Sequence, residues 1–227
     1  MIIKIKRRDD PEKEPYWQSF AWEGSPDATV TTVLDELNFK DDLSDTEDRP
    51  ARRILWECSC QEKKCGACAM KINGEPALAC GTFMRDIKGP VLTLEPLSKF
   101  PVIRDLLVDR SIIDENLVRS GMYLKENAKV RPEEYERQYV IAKCLKCGLC
   151  LEVCPNYSKG ENFFGAAFAN EAYLTVSQSG ENSDKEAVKS YKKHFERGCS
   201  KALSCQDVCP EGLPTLSSMA RLNRKNK

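Results

Sequence analysis

Residues 144–155 read CLKCGLCLEVCP: Cys144, Cys147 and Cys150 at x2 spacing, then x3 to Cys154, then Pro155. In such a run the first three cysteines hold one iron-sulfur cubane and the fourth ligates a different cluster. The partner run lies 55 residues on, where positions 199, 202, 205, 209 and 210 are Cys, Ala, Cys, Cys and Pro. The flank CLEVCP recurs there as CQDVCP. The repeat is therefore internal and crossed, each half giving its last cysteine to the other half's cluster. Cys144, Cys147, Cys150 and Cys209 make a 4Fe-4S set. Cys154, Cys199 and Cys205 are one thiolate short, because Ala202 stands where the repeat requires cysteine. A methyl group cannot ligate iron, so the natural occupant is a 3Fe-4S cluster, whose missing corner needs no ligand.

Upstream, ECSCQEKKCGACAMKINGEPALAC carries Cys60-x4-Cys65-x2-Cys68-x11-Cys80. Four thiolates suit two irons, and the x4 and x2 spacings are those of plant-type 2Fe-2S ferredoxins, where a loop wraps the cluster with its backbone N-H groups toward sulfur. Gly66 permits that close approach. Asn73-Gly74, between MKI and PALA, predicts a tight hairpin that brings Cys80 back beside the loop. Cys58 lies outside every set and reads as a free or buried thiol in preference to an alternative ligand.

The blander readings weaken together. Structural zinc wants four ligands in two separated pairs, whereas three cysteines at x2 spacing followed by x3-Cys-Pro wrap a cubane. No Cys-x2-Cys is followed by His, which excludes haem attachment, and a Rieske centre needs two histidines where the chain has only His194. His194, in YKKHFERG, reads as a helix-face residue. Lys63 and Lys64 read as solvated, and Phe163, Phe164 and Phe168 as core. No glycine-rich phosphate loop or nucleophile-base arrangement appears, so no site for organic chemistry is visible.

The chain has 227 residues, room for two compact domains, and 35 basic side chains balance 35 acidic ones. That balance gives no basic field for nucleic acid. Twelve cysteines without a secretory signal point to metal ligation in a reducing compartment. MIIKIKRRDDPEKEP has no signal-peptide pattern, so the mature chain reads as starting at Met1 in a bacterial-type cytosol, and no apolar run reaches the ~20 residues of a membrane span. Residues 1–100 read as mixed strand and helix: strands at the start, near Tyr16 to Trp22 and at Val91 to Leu94, a helix carrying Val30, Val33, Leu34 and Leu37, and a solvated loop from Asp41 to Pro50. Pro101 reads as a first helical residue and the domain boundary, with helices following near 133–142, 165–177, 184–196 and 214–223.

The three ordered cysteine motifs, FPVIRDLLVDRS at the domain junction and the two Cys-Pro ends together resemble the iron-sulfur subunit of succinate dehydrogenase and fumarate reductase, over nearly the whole chain. The resemblance implies an α+β chain, with a β-grasp ferredoxin domain at 1–100 and an all-α ferredoxin-like domain at 101–227. It implies a non-catalytic electron-transfer subunit with one 2Fe-2S, one 4Fe-4S and one 3Fe-4S cluster. Its partners would be an FAD-containing flavoprotein and a membrane anchor with menaquinone or another quinone, on the cytoplasmic face of a bacterial inner membrane. In one branch of the family a Trp and a His contact quinone beside the 3Fe-4S cluster; the matching positions here are Lys159 and Ser200, which points to a haem-bearing anchor. A glycolate or glycerol-3-phosphate oxidase type of subunit would instead hold two full cubanes, against Ala202 and the N-terminal motif.

Overall fold

The computed structural model describes residues 1–224, and of residues 181–184 the backbone alone. It forms two compact units, Met1–Asp109 and a second beginning at Arg110. The first holds a five-stranded sheet built from β1 (Ile2–Arg7), β2 (Tyr16–Ala21), β3 (Ala69–Ile72), β4 (Glu75–Leu78) and β5 (Val91–Glu95), in the order β2-β1-β5-β3-β4. β1 and β5 run parallel at its centre and the other neighbours antiparallel. Alternation along these strands puts Ile3, Ile5, Leu92 and Leu94 wholly inside. Asn73 and Gly74 sit at φ 50° and 84°, the pair of left-handed residues that a two-residue hairpin needs, and so β3 turns directly into β4.

One helix, α1 (Val30–Asn38), packs its stripe of Val30, Val33, Leu34 and Leu37 into the core of this unit. The Thr29 side chain caps it, accepting from Thr32 N at 3.3 Å. Its last residue, Asn38, accepts from the Ile54 N-H at 2.7 Å and donates to the Ile54 carbonyl at 2.9 Å. That paired contact fixes the irregular segment that leads into the first cysteines.

Two expectations change here. Pro101 opens no helix: Asp105, at φ 49°, turns a small hairpin between β6 (Val102–Arg104) and β7 (Leu107–Val108), and the first unit runs on to Asp109, past the boundary placed at Phe100. Apolar spacing alone allowed a helix; donors to the buried Asp105 carboxylate, from Arg7, Arg8 N and Leu55 N, decide otherwise, since tertiary contacts override local propensity. Nor is the acidic loop wholly solvated. Asp45 is buried within it, accepting from Glu47 N, Arg49 N, Arg49 Nε and Gln18 Nε2 at 2.9 to 3.2 Å.

The second unit is helical among its described residues: α2 (Ile112–Arg119), α3 (Pro132–Ile141), α4 (Leu149–Glu152), α5 (Gly165–Gln178), α6 (Glu181–His194), α7 (Ser204–Asp207) and α8 (Thr215–Arg224). The sequence repeat is also a backbone repeat. Lys146 and Gly148 are left-handed before α4, and 55 residues later Lys201 and Leu203 are left-handed before α7. The core gathers on α5, on α6 and on the residue that ends α6, where Phe168, Ala169, Ala172, Tyr191 and Phe195 are all buried. His194 belongs to that core and does not lie on an exposed helix face. It stacks on Phe164 at 4.2 Å and lies 3.0 Å from the Asn162 carbonyl through Nδ1, its pKa lowered by burial. No described helix is long and apolar enough to cross a membrane.

Candidate metal centres

In the first unit, the loop after Cys58 turns through three left-handed residues, Gln61, Lys63 and Gly66. This curl aims successive amides at sulfur. Glu62 N and Lys64 N approach Cys60 Sγ at 3.4 and 3.2 Å, and Lys63 N approaches Cys80 Sγ at 3.3 Å. The β3-β4 hairpin returns the chain to a 3₁₀ turn, Ala79–Gly81, which places Cys80 Sγ 3.3 Å from Cys68 Sγ. Gly81 leaves room for the Lys63 stem, whose Cδ would stand 2.5 Å from a Cβ there. Cys60, Cys65, Cys68 and Cys80 thus lie on one loop and the turn facing it, Cys68 and Cys80 inside and Cys60 toward the surface.

Their protonation differs for a physical reason. The Glu62 amide, opposed by burial and helped by the Lys64 amide, lowers the Cys60 thiol to about 7. Burial pushes the Cys68 thiol up to about 12. A buried cysteine of that kind becomes a thiolate near neutral pH only with a cation at its sulfur.

In the second unit, two cavities lie side by side. One is lined by Cys144, Cys147, Cys150 and Cys209, with Cys205 at its edge, and is closed by small α5 residues Ala166 and Ala167. Leu213 N points at Cys209 Sγ at 3.5 Å, and Arg110 donates to the Cys147 carbonyl at 3.2 Å. Burial raises the thiols of Cys144, to about 11, and of Cys147 and Cys150. The other cavity is lined by Cys154, Cys199 and Cys205, with the Ala202 methyl among them. Cys205 and Ala166 border both, so only the thickness of a side chain separates the two.

All three sulfur groups therefore fit iron-sulfur clusters in donor chemistry, since each gathers several cysteine thiols on adjoining loops and turns. The spacing of the cysteines announced these groups. It did not announce the amides of Glu62, Lys63 and Lys64 or the Arg110 contact, which depend on how the loops curl. Ser200, one of the two positions weighed for quinone, donates to Asn156 Oδ1 at 2.5 Å, and Lys159 is exposed.

Two family models match the chain: a 2Fe-2S iron-sulfur cluster binding domain over residues 2–115 and a 4Fe-4S dicluster domain over residues 140–213. The chain is 31% identical to the succinate dehydrogenase iron-sulfur subunit of Bacillus subtilis, over 97% of its own length and 90% of that protein. It is 30% identical to the fumarate reductase iron-sulfur subunit of Wolinella succinogenes, over 95% and 93%. Among solved structures it resembles a chain of the Mycobacterium smegmatis Sdh1 complex in the apo form, with TM-score 0.74 and 24% identity, covering 100% of this chain and 97% of that one.

Proposed function

This chain belongs to the family of succinate dehydrogenase and fumarate reductase iron-sulfur subunits, and from that premise we propose how its cysteines divide among the clusters. Cys60, Cys65, Cys68 and Cys80 hold the 2Fe-2S cluster of a β-grasp domain. Cys144, Cys147, Cys150 and Cys209 hold the 4Fe-4S cluster, and Cys154, Cys199 and Cys205 the 3Fe-4S cluster. One observation carries the reading: the crossed repeat in sequence reappears as two adjoining sulfur-lined cavities, with Ala202 facing the three-cysteine one.

The chain is an electron-transfer subunit, and its clusters supply one-electron steps. Its own residues hold them close together, exclude water with Ala166, Ala167 and Phe163, and turn amides toward the sulfurs, which stabilises negative charge there. Succinate and fumarate chemistry falls to an FAD-bearing flavoprotein partner, and this chain alone turns over neither. At the other end, electrons leave through a membrane anchor that holds this subunit peripherally at the cytoplasmic face. With Ser200 committed to Asn156 and Lys159 in place of an indole, the reading favours haem in that anchor, with menaquinone or another quinone farther away.

Native purification of the complex tests this. The expected chain content is nine irons (2 + 4 + 3) with negligible zinc, with flavin on one partner and haem on another. Stoichiometric zinc and no visible charge-transfer absorption would overturn the cluster reading. A haem-free complex whose quinone activity collapses on Lys159→Ala or Ser200→Ala, with cluster spectra intact, would return quinone to this chain.

A further inference from the structure

Helix α5 opens with GAAFA, five buried residues without a polar side chain, and then turns in an amide: Asn170, equally buried at 3% exposure. Asn170 follows Ala166 and Ala167 by four and three residues, so the three share a helix face. Together they line the cavity of Cys144, Cys147, Cys150 and Cys209. Asparagine is a poor choice for a helix interior, and a buried amide needs hydrogen bonds to offset its lost hydration. One end has such a bond. Nδ2 donates at 3.0 Å to Oγ1 of Thr215, the first residue of α8, which is also 3% exposed and lines the same cavity. The other end, Oδ1, is buried with no partner among the described residues. Tying α5 to α8 takes one polar contact and does not call for a second polar atom left unpaired at its full desolvation cost. Thiols aside, Asn170 and Thr215 are the buried polar side chains of this wall. Lys146, which also borders the cavity, is paired with Asp114 Oδ1 at 2.6 Å.

We propose that the Asn170 amide donates an N-H to a sulfur of the 4Fe-4S cluster and thereby raises the potential of that centre. This rests on the 4Fe-4S assignment made above. The two ends of a primary amide are alike in size, so partners decide which way it points. A cluster and its thiolates present acceptors alone, which repel Oδ1 and attract an N-H. Turned end for end, the amide is satisfied at both ends: Oδ1 accepts the hydroxyl proton of Thr215, which can donate as well as accept, and Nδ2 faces sulfur. Reduction brings one electron whose charge falls largely on the sulfurs, so an N-H there favours the reduced state. The side chain thus adds to the backbone donor already present on that wall, Leu213 N at 3.5 Å from Cys209 Sγ.

The test uses the whole complex as wild type, Asn170→Leu and Thr215→Val, with the potentials of all three clusters followed by EPR during redox titration. Asn170→Leu keeps the shape and removes the donor. It is expected to shift the 4Fe-4S potential downward and to leave those of the 2Fe-2S and 3Fe-4S clusters in place. Thr215→Val keeps the donor but frees its orientation, and is expected to shift the same potential downward by less. Pulsed EPR of the reduced 4Fe-4S cluster, in complex labelled with the heavy nitrogen isotope at the asparagine side-chain amide, is expected to show a nitrogen coupling that Asn170→Leu abolishes. An unmoved or raised 4Fe-4S potential in Asn170→Leu overturns the proposal, as does an equal shift of all three centres, which general loosening of the fold would give. Should that variant not accumulate, the labelled wild type decides alone: the coupling supports the donor and its absence overturns it. A wild-type complex without any 4Fe-4S signal would instead overturn the assignment beneath it.

Discussion

Arg7 Nε and Asp105 Oδ1 meet at 2.8 Å across 98 residues of chain, each side chain only 1% exposed. The carboxylate also accepts from Arg7 Nη2, Arg8 N and Leu55 N, and the guanidinium reaches Gln18 and the Arg52 carbonyl. The pair ties β1 to the β6-β7 hairpin and to the segment leading into the 2Fe-2S loop. Breaking a buried pair by removing one partner leaves the other charge uncompensated, which typically costs about 3–5 kcal/mol. Asp105→Asn should therefore lower the melting temperature of the subunit sharply, with early loss of 2Fe-2S absorption. Removing both charges while keeping an amide oxygen for Arg8 N and Leu55 N and a residue that tolerates the left-handed turn, as in Arg7→Met/Asp105→Asn, should recover part of that loss. A single variant that melts like the wild type would show the pair to be idle.

His194 makes stability depend on pH in a definite direction. Burial, opposed by the Asn162 carbonyl and reinforced by Lys193 and Arg119, holds its pKa below the ordinary 6.5. The unfolded chain therefore binds this proton more readily than the folded one. The stability contributed by the neutral ring is complete above pH 6.5 and is lost as pH falls through that value toward the lower folded pKa. Melting temperatures measured from pH 7.5 to 5.5 should fall, and His194→Gln, which keeps a donor for Asn162, should flatten that slope. An unchanged slope in the variant would assign the pH dependence elsewhere.

Gly165 begins α5 at φ +76°, and a Cβ there would lie 2.1 Å from Leu151 Cδ2. Leu151 sits on α4, one residue past Cys150, and is 2% exposed. Gly165→Ala combines left-handed strain of roughly 1–2 kcal/mol with overpacking of about 1–3 kcal/mol. It should destabilise the second unit and broaden the 4Fe-4S EPR signal. Adding Leu151→Ala should relieve the overpacking and leave the strain, which a double-mutant cycle measures. No coupling between the two would rule out the steric cause.

Ala202 lines the three-cysteine cavity at the position that matches Cys147 in the first half of the repeat. Ala202→Cys should supply the fourth thiolate, add one iron, remove the EPR signal of the oxidised 3Fe-4S cluster and lower the potential of that centre. Survival of the 3Fe-4S signal with no added iron would show that cluster type is set by something other than this ligand.

What sequence by itself determined is what covalent spacing controls. Cys144, Cys147 and Cys150 lie within one short loop, so their convergence needs no distant partner, and the repeat carries its left-handed turns with it at Lys201 and Leu203. The Asn73-Gly74 hairpin is likewise local, because two left-handed residues suffice to reverse a strand. Tertiary structure alone decided the rest. The reading of Pro101 as a helix start missed a hairpin tied down by Arg7; Asp45 is buried in a loop read as solvated; and His194, read as a helix-face residue, is packed into the core. Each of these depends on groups brought from distant segments to satisfy a buried charge or ring, and the free energy of such a contact exists only once the chain has closed around it.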